Sequence, residues 1–283
     1  MGRNLSEARV VRVSPNLSLV RGRDGVFLIN TNDRYIGRSL EVYGEYSRDE
    51  GEGLRQLVRA GDTVMEIGAN IGGHTVGLAK RVGPQGLVIA FEPQRACFAL
   101  LQSQIALNEL TNVVALNQGV ADKGGTLYVP GRDYATQGNA GGVALAEKPL
   151  PRHEAVRVIR LDDRHGDIKV HLIKIDVEGM EGQVIEGARG LIMKSRPRLY
   201  IENDRVDKSP ALIRRLFDLG YRLWWHKPRL FCPDNYFGVT ENVFGQPITS
   251  KNMIGIPVED TKTRIADLPE IRSPDEPHPS QPR

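Results

Sequence analysis

Short apolar runs that end in glycine or a carboxylate alternate along this chain with stretches of helical periodicity, and that alternation predicts an α/β fold. The expected architecture is a doubly wound, mostly parallel sheet with helices on both faces. Three stretches carry the prediction. TVMEIG at 63–68 is followed by HTVGLAKRV, giving strand, glycine turn and helix in order. LVIAFEP at 87–93 leads into RACFALLQSQIALNEL, where Phe98, Leu101, Ile105 and Leu107 are expected to share one face. HLIKIDVEG at 171–179 leads into GQVIEGARGLIMKS.

The remaining elements continue the alternation. NVVALNQGV reads as a third strand, RLYIEN as a fifth, and SPALIRRLFDLG as a helix with a Ser-Pro start and a glycine stop. YRLWWH and NMIGIPV complete the sheet. Residues 1–60 read as an N-terminal extension: two short strand-like runs, VVRVSPNLSLV and GVFLINT, then a polar stretch with helical spacing at Leu54, Leu57 and Val58. The main domain is expected over 61–260, and the proline-rich, polar tail 261–283 is expected to be disordered. Between the third and fourth main strands, residues 121–160 are too long for an ordinary connection. TLYVP and AVRVIRL there read as extra strands around a glycine-rich loop, placed where a substrate lid or a tolerated surface insertion would sit.

Composition narrows the function classes. With 40% hydrophobic and 26% charged residues the chain has the make-up of a globular protein. Its 38 basic and 35 acidic residues are interleaved, so no basic stripe points to nucleic acid. Cys97 and Cys232 stand far apart, which argues against a disulfide framework or a zinc cluster and suggests a reducing compartment. No run approaches the ~18 apolar residues of a membrane span. The first residues carry scattered charge, unlike a signal peptide, so a cytoplasmic location and no membrane partner are expected. Oligomeric state is not legible.

The loop EIGANIGGHT, Glu66 to Thr75, joins a strand to a helix, where such folds place a nucleotide-type ligand. A dinucleotide fingerprint needs a second glycine where Asn70 stands. Glu66 would repel a diphosphate and suits a ligand bearing an ammonium and a sulfonium. Glu92, at the end of the second strand, can accept hydrogen bonds from both ribose hydroxyls, a feature shared by nicotinamide and adenosylmethionine sites. The charge pattern favours S-adenosylmethionine.

GDTVMEIGANIGGHT, IAFEPQ, IKIDVEGMEGQVIEGA and, less closely, GEYSRDE and LYIEN resemble the FkbM-type methyltransferase family over roughly 35–257. The resemblance implies a class I methyltransferase fold with seven strands, the last antiparallel. It also implies methyl transfer from S-adenosylmethionine, usually to a hydroxyl of a sugar or natural product. By position, Glu66, Gly68, Asn70, Gly72 and Thr75 would line the methionine end, Glu92 the ribose, and Gly119 with Val120 the adenine. Glu66 stands where aspartate is common in the family.

Removal of an acceptor proton calls for a carboxylate or histidine within reach of the methyl group. Asp176, ending the fourth strand, is the leading candidate and also a cofactor neighbour; Glu178, Glu202 and His226 are further candidates. The plainer reading of the Asp176–Glu178 pair is that one carboxylate caps the next helix while the other meets Lys174 or an arginine. Asp176, Glu178, Glu202 and Asp204 together would suit magnesium if their oxygens converge. One of Trp224 and Trp225 must face the core, and the other is free to stack on an acceptor or to pack. Glu45, Tyr46 and Glu50 either fold over the cofactor or begin a polar helix. His165 and His171 lack ligand spacing. The acceptor is expected to be a small molecule or glycan accepting at oxygen, with nitrogen acceptors and a non-catalytic binding protein as alternatives.

Overall fold

The computed structural model describes residues 8–265 and 267–280. The extension forms β1 (Val10–Ser14), β2 (Leu17–Arg21) and β3 (Val26–Asn30), an antiparallel three-stranded sheet, followed by α1 (Ile36–Tyr43) and α2 (Arg48–Gln56). The main fold then runs through β4 (Thr63–Ile67), α3 (Thr75–Val82), β5 (Leu87–Phe91), α4 (Arg95–Leu107) and β6 (Val113–Leu116). The insertion carries β7 (Gly119–Val120), β8 (Gly125–Pro130) and β9 (His153–Ile159), a second small sheet in the order β7-β9-β8. The chain returns through α5 (Leu161–His165), β10 (Leu172–Ile175), α6 (Glu181–Gly187), α7 (Arg189–Ser195), β11 (Arg198–Glu202) and α8 (Ser209–Asp218). It ends in β12 (Tyr221–His226), β13 (Asn252–Pro257) and β14 (Glu270–Ile271).

Among the described residues the main sheet has eight strands, in the order β14-β12-β13-β11-β10-β4-β5-β6. From β6 to β11 neighbours run parallel; β13 is antiparallel to both β11 and β12, and β14 is antiparallel to β12. Parallel central strands are covered on both faces and must be apolar throughout. Val64, Met65 and Ile67 of β4 and Leu172, Ile173 and Ile175 of β10 are accordingly buried. Two cores flank the sheet. One lies under α6, α7 and α8 around Ile173, Ile185, Leu191 and Leu216, the other under α2 and α3 around Leu54, Leu78 and Val88. Strand order reverses between β4 and β10, so a crevice opens beyond their carboxyl ends.

Several expectations are corrected. The sheet has an eighth strand beyond the seven expected, and it comes from the tail expected to be disordered. β14 pairs Ile271 with Leu223, and Ile271 is buried. His278 is also buried, meeting the Asn203 carbonyl at 2.6 Å and the Trp225 ring edge-on at 5.2 Å. A few apolar contacts hold the tail although its composition is polar. Gly119 and Val120 leave the third strand to join β9, and the single helix expected over 182–195 breaks at Ala188. The close approach of Gly187 to the Ala121 carbonyl accompanies that break, since a Cβ at Gly187 would stand 2.0 Å from the oxygen. Leu107 is exposed, because α4 turns only Leu101, with Phe98 and Ile105 beside it, to the sheet.

Candidate active site

The crevice at the reversal point holds a cavity of about 360 Å³, within the range of small-molecule sites. Its floor is the turn after β4. Gly68 has φ 85°, and a Cβ there would lie 1.8 Å from the Asp176 carbonyl oxygen, so glycine is required twice over. Asn70, at φ 50°, turns its N–H onto Glu92 Oε2 at 2.8 Å. Glu92 Oε1 accepts from the Gln94 N–H at 2.8 Å. The Glu92 carboxylate is thus clamped by two backbone donors and still borders the cavity. Burial pushes its carboxyl up to about 7, against the pull of those two N–H groups.

A row of polar side chains crosses the middle of the otherwise apolar sheet. Residues opposite one another in neighbouring strands point to the same face. Lys174 lies opposite Glu66 on one side and Tyr200 on the other. Glu66 Oε2 accepts from the Thr75 hydroxyl at 2.6 Å, and burial raises its carboxyl above the usual range. Lys174 is only 3% exposed, and its Nζ donates to Asp176 Oδ2 at 3.1 Å. Burial opposes that charge, yet Asp176, Glu50 and Glu66 raise the ammonium above its ordinary range. Glu50, from α2 of the extension, sits 3.5 Å from His74 Nε2 of the glycine loop, both buried. Burial would raise the Glu50 carboxyl, but His74 and Lys174 carry it down to about 2.

At the acceptor end, Asp176, Glu178 and Glu202 place carboxylate oxygens within 4.8 Å of one another. Asp204 borders the cavity but stands outside that trio, its Oδ1 accepting from the Lys251 N–H at 2.7 Å. Helix capping by Asp176 or Glu178 is not observed. Asp176 meets Lys174, Glu178 Oε2 pairs with Arg205 at 2.8 Å, and Glu181 accepts from the Gly179 N–H instead. Burial and neighbouring Asp176 push Glu178 up to about 7, with Arg205 opposing. Burial and the same carboxylate neighbours raise Glu202 well above its usual range. Two of the three oxygen donors are already paired with cations, a poor preparation for magnesium.

The extension and the insertion roof the cleft together. Arg34 N–H bonds the Gly138 carbonyl at 2.9 Å, Gly138 N–H returns to the Asn32 carbonyl at 3.0 Å, and Gln94 Nε2 holds the Ala140 carbonyl at 3.0 Å. Tyr46 lines the cleft, tilted against His74 at 5.1 Å. Glu45 does not line the cleft; its buried carboxylate pairs with Arg23.

Of the residues singled out from sequence, Glu66, Gly68, Asn70, Glu92, Gly119, Val120, Asp176, Glu178 and Glu202 border the cavity. Gly72 and Thr75 do not; Gly72, at φ 85°, shapes the turn against Leu101, and Thr75 acts through Glu66. His226 is not a lining residue either. Its Nδ1 is bonded to the Tyr200 hydroxyl at 2.8 Å, and burial lowers its pKa. Neither tryptophan is free to stack on an acceptor: Trp225 packs in one core and Trp224 in the other. Lys174, His74, Gln94 and Asn252 line the cavity without having been singled out as site residues. A signal existed for Lys174, a charge at the centre of the buried strand LIKI.

A glycine loop over a clamped carboxylate, opening on acidic strand ends, is the arrangement that the sequence resemblance implies. Residues 66–223, more than half of the chain, match the model of the methyltransferase FkbM domain. The chain belongs to the FkbM methyltransferase family. It is 29% identical to methyltransferase sdnD of Sordaria araneosa, over 44% of this chain and 59% of that one. It is likewise 29% identical to methyltransferase 1 of Beauveria bassiana, over 44% and 57%. The chain thus spans less than three fifths of the curated relatives it matches. A solved structure of methyltransferase FkbM from Methylobacillus flagellatus is similar at 18% identity and a TM-score of 0.44, over 70% of this chain and 45% of that one. No described helix is long and apolar enough to cross a membrane.

Proposed function

We propose that this FkbM-family chain transfers a methyl group from S-adenosylmethionine to a hydroxyl of a carbohydrate or secondary metabolite. The observation that carries the reading is Glu92, a buried carboxylate with both oxygens clamped yet bordering the cleft, with β4 between it and the acidic acceptor end. Each oxygen keeps a free lone pair for a ribose hydroxyl. Bound S-adenosylmethionine supplies a methyl carbon already activated by its sulfonium.

The residues then have three tasks. Glu66 and Asp176 offer negative charge to the cationic end of the ligand, while Gly68 lets the backbone approach. Asp176 accepts the acceptor's hydroxyl proton as the oxygen–carbon bond forms and the carbon–sulfur bond breaks, its electron pair leaving with sulfur. Alignment and exclusion of water by the roof supply the remainder of the rate. Magnesium has no part in this route, because Lys174 and Arg205 already occupy an oxygen each of Asp176 and Glu178. The two fungal relatives, both named methyltransferases, lend support to the class of reaction, and acceptor choice is assigned to the roof and the loop after β12. Nitrogen acceptors, which the same fold supports without a metal, are the competing reading.

Calorimetric titration with S-adenosylmethionine and, separately, NAD tests the cofactor. Micromolar binding of the former alone is expected, weakened in Glu92→Ala. Binding of NAD alone would overturn the reading. Asp176→Asn that binds cofactor normally but forms no methylated product would support an enzyme over a binding protein.

A further inference from the structure

Lys174 touches neither reacting group in the route above, yet the fold keeps its ammonium at the centre of the sheet. Burying an ammonium carries a large desolvation penalty unless anions repay it. Three carboxylates surround it from three parts of the chain. Glu66 stands opposite in register on β4, Asp176 is bonded at 3.1 Å just beyond β10, and Glu50 reaches in from α2 of the extension. Glu66 accepts a hydrogen bond from Thr75 and Glu50 stands 3.5 Å from His74 Nε2, while Asp176 is the carboxylate that Lys174 holds directly.

Resting on the cofactor reading, we propose that Lys174 is the charge-balancing residue of the cleft, fixing the Asp176 carboxylate and setting the preference between cationic cofactor and uncharged product. S-adenosylmethionine carries one more positive charge than S-adenosylhomocysteine, at the sulfur. Three carboxylates with one ammonium already favour the cation. Without the ammonium the same carboxylates would favour it more strongly, and without Asp176 less. The lysine therefore limits how strongly the cofactor is preferred over the product it becomes. It acts through the field and through Asp176, so it is a positioning residue.

The test is the ratio of two dissociation constants, for S-adenosylmethionine and S-adenosylhomocysteine, measured by calorimetry on the same preparation so that any misfolded fraction cancels. In Lys174→Met the ratio should shift toward S-adenosylmethionine by on the order of tenfold, the effect of one charge at an effective dielectric near ~20. In Asp176→Asn it should shift the opposite way, and Lys174→Arg should restore the wild-type ratio. Ratios within about twofold of wild type in both charge variants, or shifts of the same sign, would overturn the proposal. If Lys174→Met yields no folded protein, Asp176→Asn at its partly exposed position decides alone, an unmoved ratio again counting against it. A wild type that binds neither ligand would overturn the cofactor reading itself, an outcome separate from an unmoved ratio in proteins that bind both.

Discussion

Cofactor affinity should depend on pH through Glu92. Burial holds its carboxyl at about 7 in the free protein, so at pH 5 the group is protonated. Two ribose hydroxyls arriving as donors, beside the Asn70 and Gln94 N–H groups, favour the anion, so binding expels the proton. The sign follows: affinity rises as pH rises toward 7 and levels above it. One proton lost per site means about tenfold per pH unit, or on the order of a hundredfold between pH 5 and 7. Glu178 also sits near 7 and contributes through the ligand's positive charge, so the Glu92 share is read by difference. In Glu92→Gln that share disappears. The amide can accept from only one of the two N–H groups, and the other is left facing a donor, at about 1–3 kcal/mol. Calorimetry in two buffers of different ionisation enthalpy counts the protons released. A slope between pH 5 and 7 that is the same in wild type and Glu92→Gln would refute the reasoning.

Gly68→Ala should destabilise the fold by roughly 3 kcal/mol more than Gly61→Ala, measured by urea denaturation. The two glycines share nearly the same φ, 85° and 84°, but a Cβ at Gly68 meets the Asp176 carbonyl oxygen while one at Gly61 meets nothing within 4 Å. Glu50→Gln should lose part of the acid sensitivity of the fold. A carboxyl near 2 stabilises above its unfolded value of 4.5, and that stability, on the order of 3 kcal/mol, is lost as pH falls from 4.5 toward 2. Removing residues 269–283 should uncover Trp225 and shift tryptophan emission to longer wavelength. Chelation with EDTA should leave cofactor binding and turnover unchanged; loss of activity restored by magnesium would instead assign the carboxylate trio to a metal.

The parallel core was legible because its strands announce themselves: TVMEI, LVIAF and LIKI are buried on both faces and flanked by glycine or acid. The glycine loop and Glu92 were legible for the same reason, since each sits at a strand end fixed by the pattern. Lys174 was read only as a partner for a neighbouring carboxylate, because spacing in one strand does not reveal the facing residues of the next two. His226 was misplaced on the same ground, and of the two readings left open for the second tryptophan the structure takes packing. Alternation along β12 gives each side chain a face, but here both faces are core, and the Tyr200 hydroxyl that claims His226 lies 26 positions earlier. The tail was misjudged because composition counts its prolines and charges, whereas its placement depends on Ile271 and His278 finding a sheet edge and a tryptophan.

The cleft is lined from Tyr35 near the start of the chain to Asn252 near its end, and β13, which carries Asn252, is wedged between β11 and β12. A growing polypeptide emerging from the ribosome therefore has no complete pocket until β13 has been made. Ligand present during synthesis cannot rescue early intermediates; its binding energy is delivered in one step, after the last strands slide home. The same arrangement leaves a segment cut at residues 66 and 223 with the insertion's share of the roof but without Tyr46 and Glu50 above or Asn252 at the side.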